Sequence, residues 1–400
     1  MKVLMINVVC GIRSTGRICT DLAAALEAQG HEVRIAYGRM NVPEQFQRYA
    51  HRIGSEADVA AHAVRTRLTD GCGFGSRHAT ERFVEWIRQY DPDVIHLHNI
   101  HGYYLNIDVL FSYLRSCGKR IIWTLHDCWA FTGHAAFCEA ADCEKWRTGC
   151  SRCPKKSDYP KSITDRSERN WARKKQLFTG IANLELVTPS FWLAGLIRQS
   201  FLSEYPVSVI HNGIDTAVFR QTASNVKQRL GIADKKMVLG VAALWEPRKG
   251  LDDFLALAGI LDEDYRVVLV GLSRKQLETL PPTVIGIERT DSVKELAELY
   301  SAADVFVNPT YEDNYPTTNL EAIACGTPVL SYDTGGSGES AALYGDVVKK
   351  GELHLLAERI QGSLSFTRDA SSLDASEEIA AYVRLYGAEN EGGGPKKDCI

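Results

Sequence analysis

What most limits the fold of this chain is a train of short, apolar, β-branched runs alternating with runs of helical period, and the train occurs twice in 400 residues. Residues 2–9 read as a strand, 11–16 as a turn, and 17–29 as a helix with Ile18, Leu22, Ala25 and Leu26 on one face, closed by Gly30. Residues 31–38, 79–90, 91–99, 107–118 and 120–127 continue as strand, helix, strand, helix, strand. The alternation restarts at 235–244 and runs through 251–261, 265–272, 293–303, 304–309 and 318–326 to 327–333. Strands that alternate with helices build parallel sheets covered on both faces. The length exceeds what one hydrophobic core organises. The expectation is therefore α/β, with two Rossmann-like doubly wound domains facing each other across a cleft. The first covers residues 1–205 with an irregular insertion at 128–173, and the second covers 206–372. A C-terminal amphipathic helix and flexible tail follow at 373–400. In such sheets ligands bind beyond the carboxyl ends of the strands, which is where residues 11–15, 98–101 and 126–127 fall.

Charge and apolar runs exclude several functions. With 46 Lys and Arg against 50 Asp and Glu, the net charge of −4 creates no basic field for nucleic acid. No apolar run approaches the roughly 18 residues of a membrane span. The N-terminal MKVLMINVVCG lacks a cleavage pattern and reads as a buried strand, which predicts a cytoplasmic chain whose 11 cysteines are free, metal-bound or reactive.

Within the insertion, Cys138, Cys143, Cys150 and Cys153 form C-x(4)-C-x(6)-C-x(2)-C, ending in a tight knuckle of the kind that grips zinc through thiolates. A structural zinc is expected there, with His134 as a substitute ligand; the alternative is four reduced thiols packed in a loop. Cys10, Cys19, Cys117, Cys128 and Cys325 read as small buried hydrophobes. The basic stretch 155–175, with Tyr159 and Trp171, reads either as a peripheral contact to an anionic inner membrane or as a solvated helix face.

Residues 303–339 carry the most chemistry. A strand runs into an acidic turn, Glu312 and Asp313; Pro316, Thr317 and Thr318 then open a helix bearing Glu321 one turn in. Free amides at a helix start suit a phosphate, and a carboxylate can accept two hydrogen bonds from a ribose diol. Arg248 and Lys249 sit between a strand and a helix, where fixed cations can neutralise a diphosphate leaving group. The bland readings are a dipole-stabilising carboxylate and solvated surface cations. The turn G-I-R-S-T-G at 11–16 lacks the G-x-G-x-x-G dinucleotide pattern, which argues against a nicotinamide enzyme. His96, His98 and His101 form H-x-H-x-x-H; two share a strand face and the third lies in the turn, which favours acceptor contacts or packing for His98 and His101 over a metal.

Taken together, residues 312–339, the RKG turn at 248–250, VIHNGID at 209–215, GIRSTGR at 11–17 and LHDCWAFTGH at 125–134 resemble the family 4 retaining glycosyltransferases of GT-B architecture, especially the bacterial branch that builds colanic acid, capsule and O-antigen. The resemblance spans nearly the whole chain. It implies transfer of a sugar, with retention and without a catalytic metal, from a nucleoside diphosphate sugar to a hydroxyl of a glycan or lipid-linked glycan. It places the family's E-x(7)-E on Asp313 and Glu321, with Glu312 as a competing first acid. The implied catalytic group is His126, Asp313, Arg248 and Lys249. Donor contacts are implied for Gly16, Arg248, Lys249, Asn314, Thr317, Thr318, Asn319 and Glu321, and acceptor-side contacts for Arg13, Ser14, His98 and His101. One departure stands out: many relatives have an Arg several residues before the Lys, where this chain has Leu244, so Arg248 is expected to supply the second charge. A front-face mechanism, in which the leaving diphosphate deprotonates the incoming hydroxyl, also comes from the resemblance. A nucleotide-sugar epimerase of the same architecture and a non-catalytic, zinc-stabilised scaffold subunit are the rival readings.

Overall fold

The computed structural model describes residues 1–362 and 373–387; residues 363–372 of the expected second domain and the tail expected from 388 onward lie outside the described residues. Seven strands make the first sheet: β1 (Lys2–Asn7), β2 (Glu32–Tyr37), β3 (Ala50–Arg52), β4 (Val94–Leu97), β5 (Arg120–Thr124), β6 (Leu184–Thr188) and β7 (Val207–Val209). Their order is β3-β2-β1-β4-β5-β6-β7, with every pairing parallel. The second sheet contains β8 (Lys236–Val241), β9 (Tyr265–Val270), β10 (Val284–Ile287), β11 (Val305–Asn308), β12 (Val329–Tyr332) and β13 (Asp346–Val348). It too is parallel, in the order β10-β9-β8-β11-β12-β13. The β-branched runs become strands because both faces are covered: Val3 to Ile6 and Met237 to Leu239 are fully buried. In each sheet the order reverses, between β1 and β4 and between β8 and β11, and these switch points open crevices at the strand ends.

Three features differ from the sequence expectation. β7 pairs with β6, so the first domain runs past the expected boundary at residue 205, and the chain crosses to the second lobe only after Val209. The helix Ala375–Gly387 crosses back: Tyr382 and Tyr386 pack with Val3, Met5, Leu22, Leu26 and Ile122, completing the first domain's core. The insertion ends in a regular helix, Ser167–Phe178, whose Lys174 is buried and donates to the carbonyls of Trp129 (2.7 Å) and Thr132 (3.2 Å). Its ammonium lies 3.4 Å from the Trp129 ring centroid, contacts that offset the cost of burying a cation. Of the cysteines expected to be buried, Cys10, Cys19, Cys128 and Cys325 are, and Cys117 is half-buried. No helix among the described residues is long and apolar enough to cross a membrane.

The two crossings lie side by side. Ile214 N–H donates to the Leu373 carbonyl (2.9 Å), and Ala375 N–H donates to the Ile214 carbonyl (2.9 Å). The Glu378 carboxyl, 8% exposed, accepts the Gly213 N–H at 2.6 Å. Burial pushes Glu378 up from 4.5 to about 8, with the Gly213 bond opposing. Between those pH values the unfolded chain binds fewer protons than the folded one, so this group's contribution to stability is full below about 4.5 and falls as pH rises to about 8. Glu378→Gln should remove that decline. In thermal unfolding at pH 5 and pH 8, the wild type should lose Tm relative to the variant as pH rises; parallel Tm profiles would contradict the assignment.

Candidate active site

On the first lobe the site grows from the ends of β1, β4 and β5. Asn7 ties them together: its Oδ1 accepts Asn99 N–H (3.2 Å), and its Nδ2 donates to the Val9 carbonyl (2.9 Å) and Thr15 Oγ1 (3.3 Å). Arg13 and Ser14 are exposed at the start of the helix Arg13–Ala28, with Arg13 in the left-handed region at φ 58°. Gly16 is needed by its own turn: a Cβ there would meet Val9 Cγ2 at 3.1 Å and Gly11 N at 3.2 Å. That packing accounts for the glycine without a donor contact.

The histidines form one assembly. His96 Nδ1 meets Tyr386 Oη at 2.6 Å and its Nε2 meets Thr124 Oγ1 at 2.8 Å; Thr124 Oγ1 in turn meets Tyr382 Oη at 2.9 Å. His98 Nδ1 meets His126 Nε2 at 3.0 Å, and the buried His98 Nε2 has no partner. An orphaned buried N–H is rarer and costlier than an unpaired acceptor, so we assign the shared proton to His98 Nδ1, donating to His126 Nε2. His126 then carries its proton on Nδ1; with His98, His101 and Asp127 it helps to line a small pocket at the strand ends. Burial, reinforced by neighbouring imidazoles, lowers His96 to about 3 and His98 well below its ordinary value, and burial lowers His126 to about 4 against the opposing charge of Asp127, so all three are neutral at pH 7. His101, expected on the acceptor side, is engaged internally: Nε2 with Asp127 Oδ2 (2.8 Å) and Nδ1 with Tyr159 Oη (2.9 Å). His98 is 1% exposed and its Nδ1 is engaged with His126.

On the second lobe, Lys249 closes a short 3₁₀ turn, Pro247–Lys249, and pairs with Asp313 Oδ2. Burial, the largest influence on Asp313, works upward; Lys249 and Arg248 outweigh it and leave the carboxyl below its ordinary value. Arg248 Nη1 donates to the Glu312 carbonyl (3.0 Å), its guanidinium lies 3.9 Å from the Phe137 ring centroid, and its Nε is 3.3 Å from Glu246 Oε2. It is therefore held against the insertion. Thr317 and Thr318 open the helix Thr317–Ala324, which has no side-chain cap. Glu321 is 3% exposed and accepts from Tyr300 Oη (3.0 Å), with Arg17 Nη2 of the first lobe 3.7 Å from its other oxygen. Burial raises Glu321, against the opposing charge of Arg17.

Glu312 and Asp313 separate cleanly. The Glu312 side chain is fully buried and its two oxygens accept the N–H groups of Cys138 (2.7 Å) and Ala140 (2.9 Å), while Asp313 faces Lys249. Two expected donor contacts are corrected. Asn319 is fully buried in a network with Asn308, Ser337 and Ser340, and Asn314 bridges the lobes, accepting from Ser190 Oγ (2.5 Å) and reaching the Leu125 carbonyl (3.4 Å). Of the four cysteines expected to hold zinc, Cys138 has its sulfur within 4.8 Å of Cys128 and Glu312 ligand atoms and also lines a cavity with Cys143, Cys150 and Cys153. In the basic stretch, Tyr159 is bonded to His101 and Trp171 Nε1 donates to the Trp146 carbonyl (2.9 Å).

Several contacts across the cleft were not anticipated. Glu339 accepts the N–H groups of Phe191 (2.9 Å) and Trp192 (2.5 Å), capping a first-lobe helix, and Glu139 Oε1 accepts Gly335 N–H (3.3 Å). A Cβ on Gly336 would fall 1.5 Å from the Asn314 carbonyl oxygen, so the paired glycines let that turn lie on the acidic one. Glu339 and Arg17 both sit within the motifs already noted, but no periodicity marks a side chain that reaches across a cleft.

Two parallel α/β lobes meeting at their switch points, with buried carboxylates and fixed cations between them, have the GT-B architecture of nucleotide-sugar glycosyltransferases. The fold is shared with sucrose-phosphate synthase from Thermosynechococcus elongatus (TM-score 0.69, 17% identity, 96% of this chain and 98% of that one). It is also shared with Anabaena HepE in complex with UDP-glucose (TM-score 0.66, 16% identity, 96% and 100%). In sequence, an Escherichia coli (strain K12) protein carrying the name colanic acid biosynthesis glycosyl transferase WcaC is 27% identical over 351 residues, 83% of each chain. Residues 15–218 match the family described as Glycosyltransferase Family 4, and 235–365 match Glycosyl transferases group 1. The chain belongs to glycosyltransferase family 4.

Two outcomes follow from this geometry. Nitrogen-15 NMR of the histidines should show His126 neutral with its proton on Nδ1 from pH 8 down to pH 5; an Nε2-protonated tautomer, or titration near 6.5, would contradict the assignment. Glu312→Ala strands two amides that cost about 1–3 kcal/mol each when buried and unpaired, so chemical denaturation should show a loss of several kcal/mol.

Proposed function

We propose that this glycosyltransferase moves a sugar from a nucleoside diphosphate sugar to a hydroxyl of a glycan or lipid-linked glycan in bacterial surface-polysaccharide synthesis, retaining the anomeric configuration and working in the cytoplasm without a catalytic metal. The observation that carries this reading is the Lys249–Asp313 pair beside the uncapped start of the helix Thr317–Ala324, with Glu321 buried one turn further on. Lys249, the nearby Arg248 and the helix-start amides meet the charge of a departing diphosphate. Thr317 and Thr318 add hydroxyl donors. Glu321 is suited to a ribose diol once Arg17 yields. His126 offers a neutral N–H donor to a sugar hydroxyl from the opposite lobe. Asp313 orients Lys249 and is the acid positioned for the sugar's hydroxyls. Arg13 and Ser14 lie at the first lobe's edge, open to the acceptor.

In the reaction, the bond from the anomeric carbon to the diphosphate oxygen breaks, the acceptor oxygen bonds to the same face, and the acceptor's proton passes to the diphosphate. No protein nucleophile is required. Contacts across the cleft exclude water that would otherwise hydrolyse the donor. The likeness to WcaC supports the polysaccharide assignment, and the fold shared with a UDP-glucose complex supports the donor class.

A thermal-shift screen of UDP-, GDP- and ADP-sugars should find one donor that raises Tm. With that donor, Lys249→Ala and Glu321→Gln should each lower kcat/KM by about 10²-fold or more with circular dichroism unchanged. Near wild-type rates in either variant would sink the assignment. Conversion of the donor with no acceptor present would instead indicate an epimerase.

A further inference from the structure

Cys143, Cys150 and Cys153 line one small cavity of about 20 Å³ together with Cys138, His134 and Lys155. His134 is fully buried, and its Nδ1 lies 2.5 Å from Asp70 Oδ1. That bond puts the imidazole proton on Nδ1 and leaves Nε2 a bare lone pair; Nε2 is buried and has no partner. A buried ring nitrogen with nothing to bond requires an explanation. A carboxylate that fixes the tautomer so that the far nitrogen faces a cluster of sulfurs is the arrangement found behind metal-ligating histidines. The sulfurs are themselves set as acceptors: Cys150 Sγ takes the Gly133 N–H at 3.2 Å, and the Cys153 sulfur takes the Lys155 N–H. Cys128, Cys138 and Glu312 make a tighter group, but both Glu312 oxygens already accept backbone amides and the two free thiols share a hydrogen bond.

We propose that Cys143, Cys150 and Cys153 through Sγ, and His134 through Nε2, bind one structural zinc ion. Cys138 leaves the ligand set expected from spacing, and His134 takes its place. No three of these ligand atoms lie within 4.8 Å of one another, so the ion draws the loop inward to bonds of about 2.3 Å for sulfur and 2.0–2.1 Å for nitrogen. Each thiol releases its proton to solvent on binding. Three thiolates around a divalent ion leave one negative charge, with Lys155 lining the same cavity. Three soft sulfurs and one imidazole in tetrahedral array select zinc over harder cations. The site lies at the base of the strap that carries Phe137 to Arg248 and the amides of Cys138 and Ala140 to Glu312. The ion therefore stiffens the contact between lobes.

The test is zinc content by mass spectrometry on the full chain expressed with zinc and desalted, together with zinc-edge X-ray absorption. The expected result is about one zinc per chain with a shell of three sulfurs and one nitrogen. Cys150→Ser and His134→Gln should lower zinc affinity about tenfold or more, and Asp70→Asn about 10–100-fold, while Cys128→Ser leaves it unchanged. Less than about a tenth of an ion per wild-type chain would overturn the site. So would undiminished zinc in folded Cys150→Ser. A four-sulfur shell would overturn the His134 assignment and restore Cys138. If a variant fails to fold, the wild-type absorption spectrum decides.

Discussion

The cleft depends on one buried carboxylate. Glu312 stands at the end of β11 in the second lobe, and both of its oxygens take backbone amides from the insertion of the first. Burial raises it to about 6, so at neutral pH it is mainly ionised and its bonds are charge-assisted. That grip presses Phe137 onto Arg248, and the Arg248 guanidinium in turn helps to hold Asp313 charged beside Lys249. The acid one position before Asp313 thus acts on the protein itself. Two adjacent acids divide the work: Glu312 joins the lobes and Asp313 orients the cation.

The fold was legible wherever burial on both faces forces apolar, β-branched runs, as in β1, β8 and β11. It was less legible where an element is short. β7 has three half-buried residues after a proline, and nothing in VSV shows that it still pairs with β6. The helix Ala375–Gly387 showed its apolar face in the sequence, but a helical period identifies a face and not the surface it covers.

The site was legible as a set of motifs and only partly as a set of contacts. Lys249 pairs with Asp313, Glu321 faces Arg17 of the other lobe, and His126 lines a pocket at the first sheet's strand ends, because residues that follow parallel strands must emerge at one edge. Asn314 and Asn319 stand in the same stretch with the same polarity, yet one bridges the lobes and the other lies within a buried amide and hydroxyl network. A polar residue beside a crevice can turn either way, and its letter does not say which. The cysteine spacing likewise counted residues along a loop without giving their directions, so the bond from His134 to Asp70 and that from Cys138 N–H to Glu312 had no signal in it.

The return of the last helix to the first sheet has a consequence for biogenesis. Tyr382 and Tyr386 pack into the cluster that holds Val3, Met5 and Ile122. The amino-terminal half is synthesised first, but its hydrophobic interior stays open on that side until the helix Ala375–Gly387 has left the ribosome, so the lobe made first is finished after the second one.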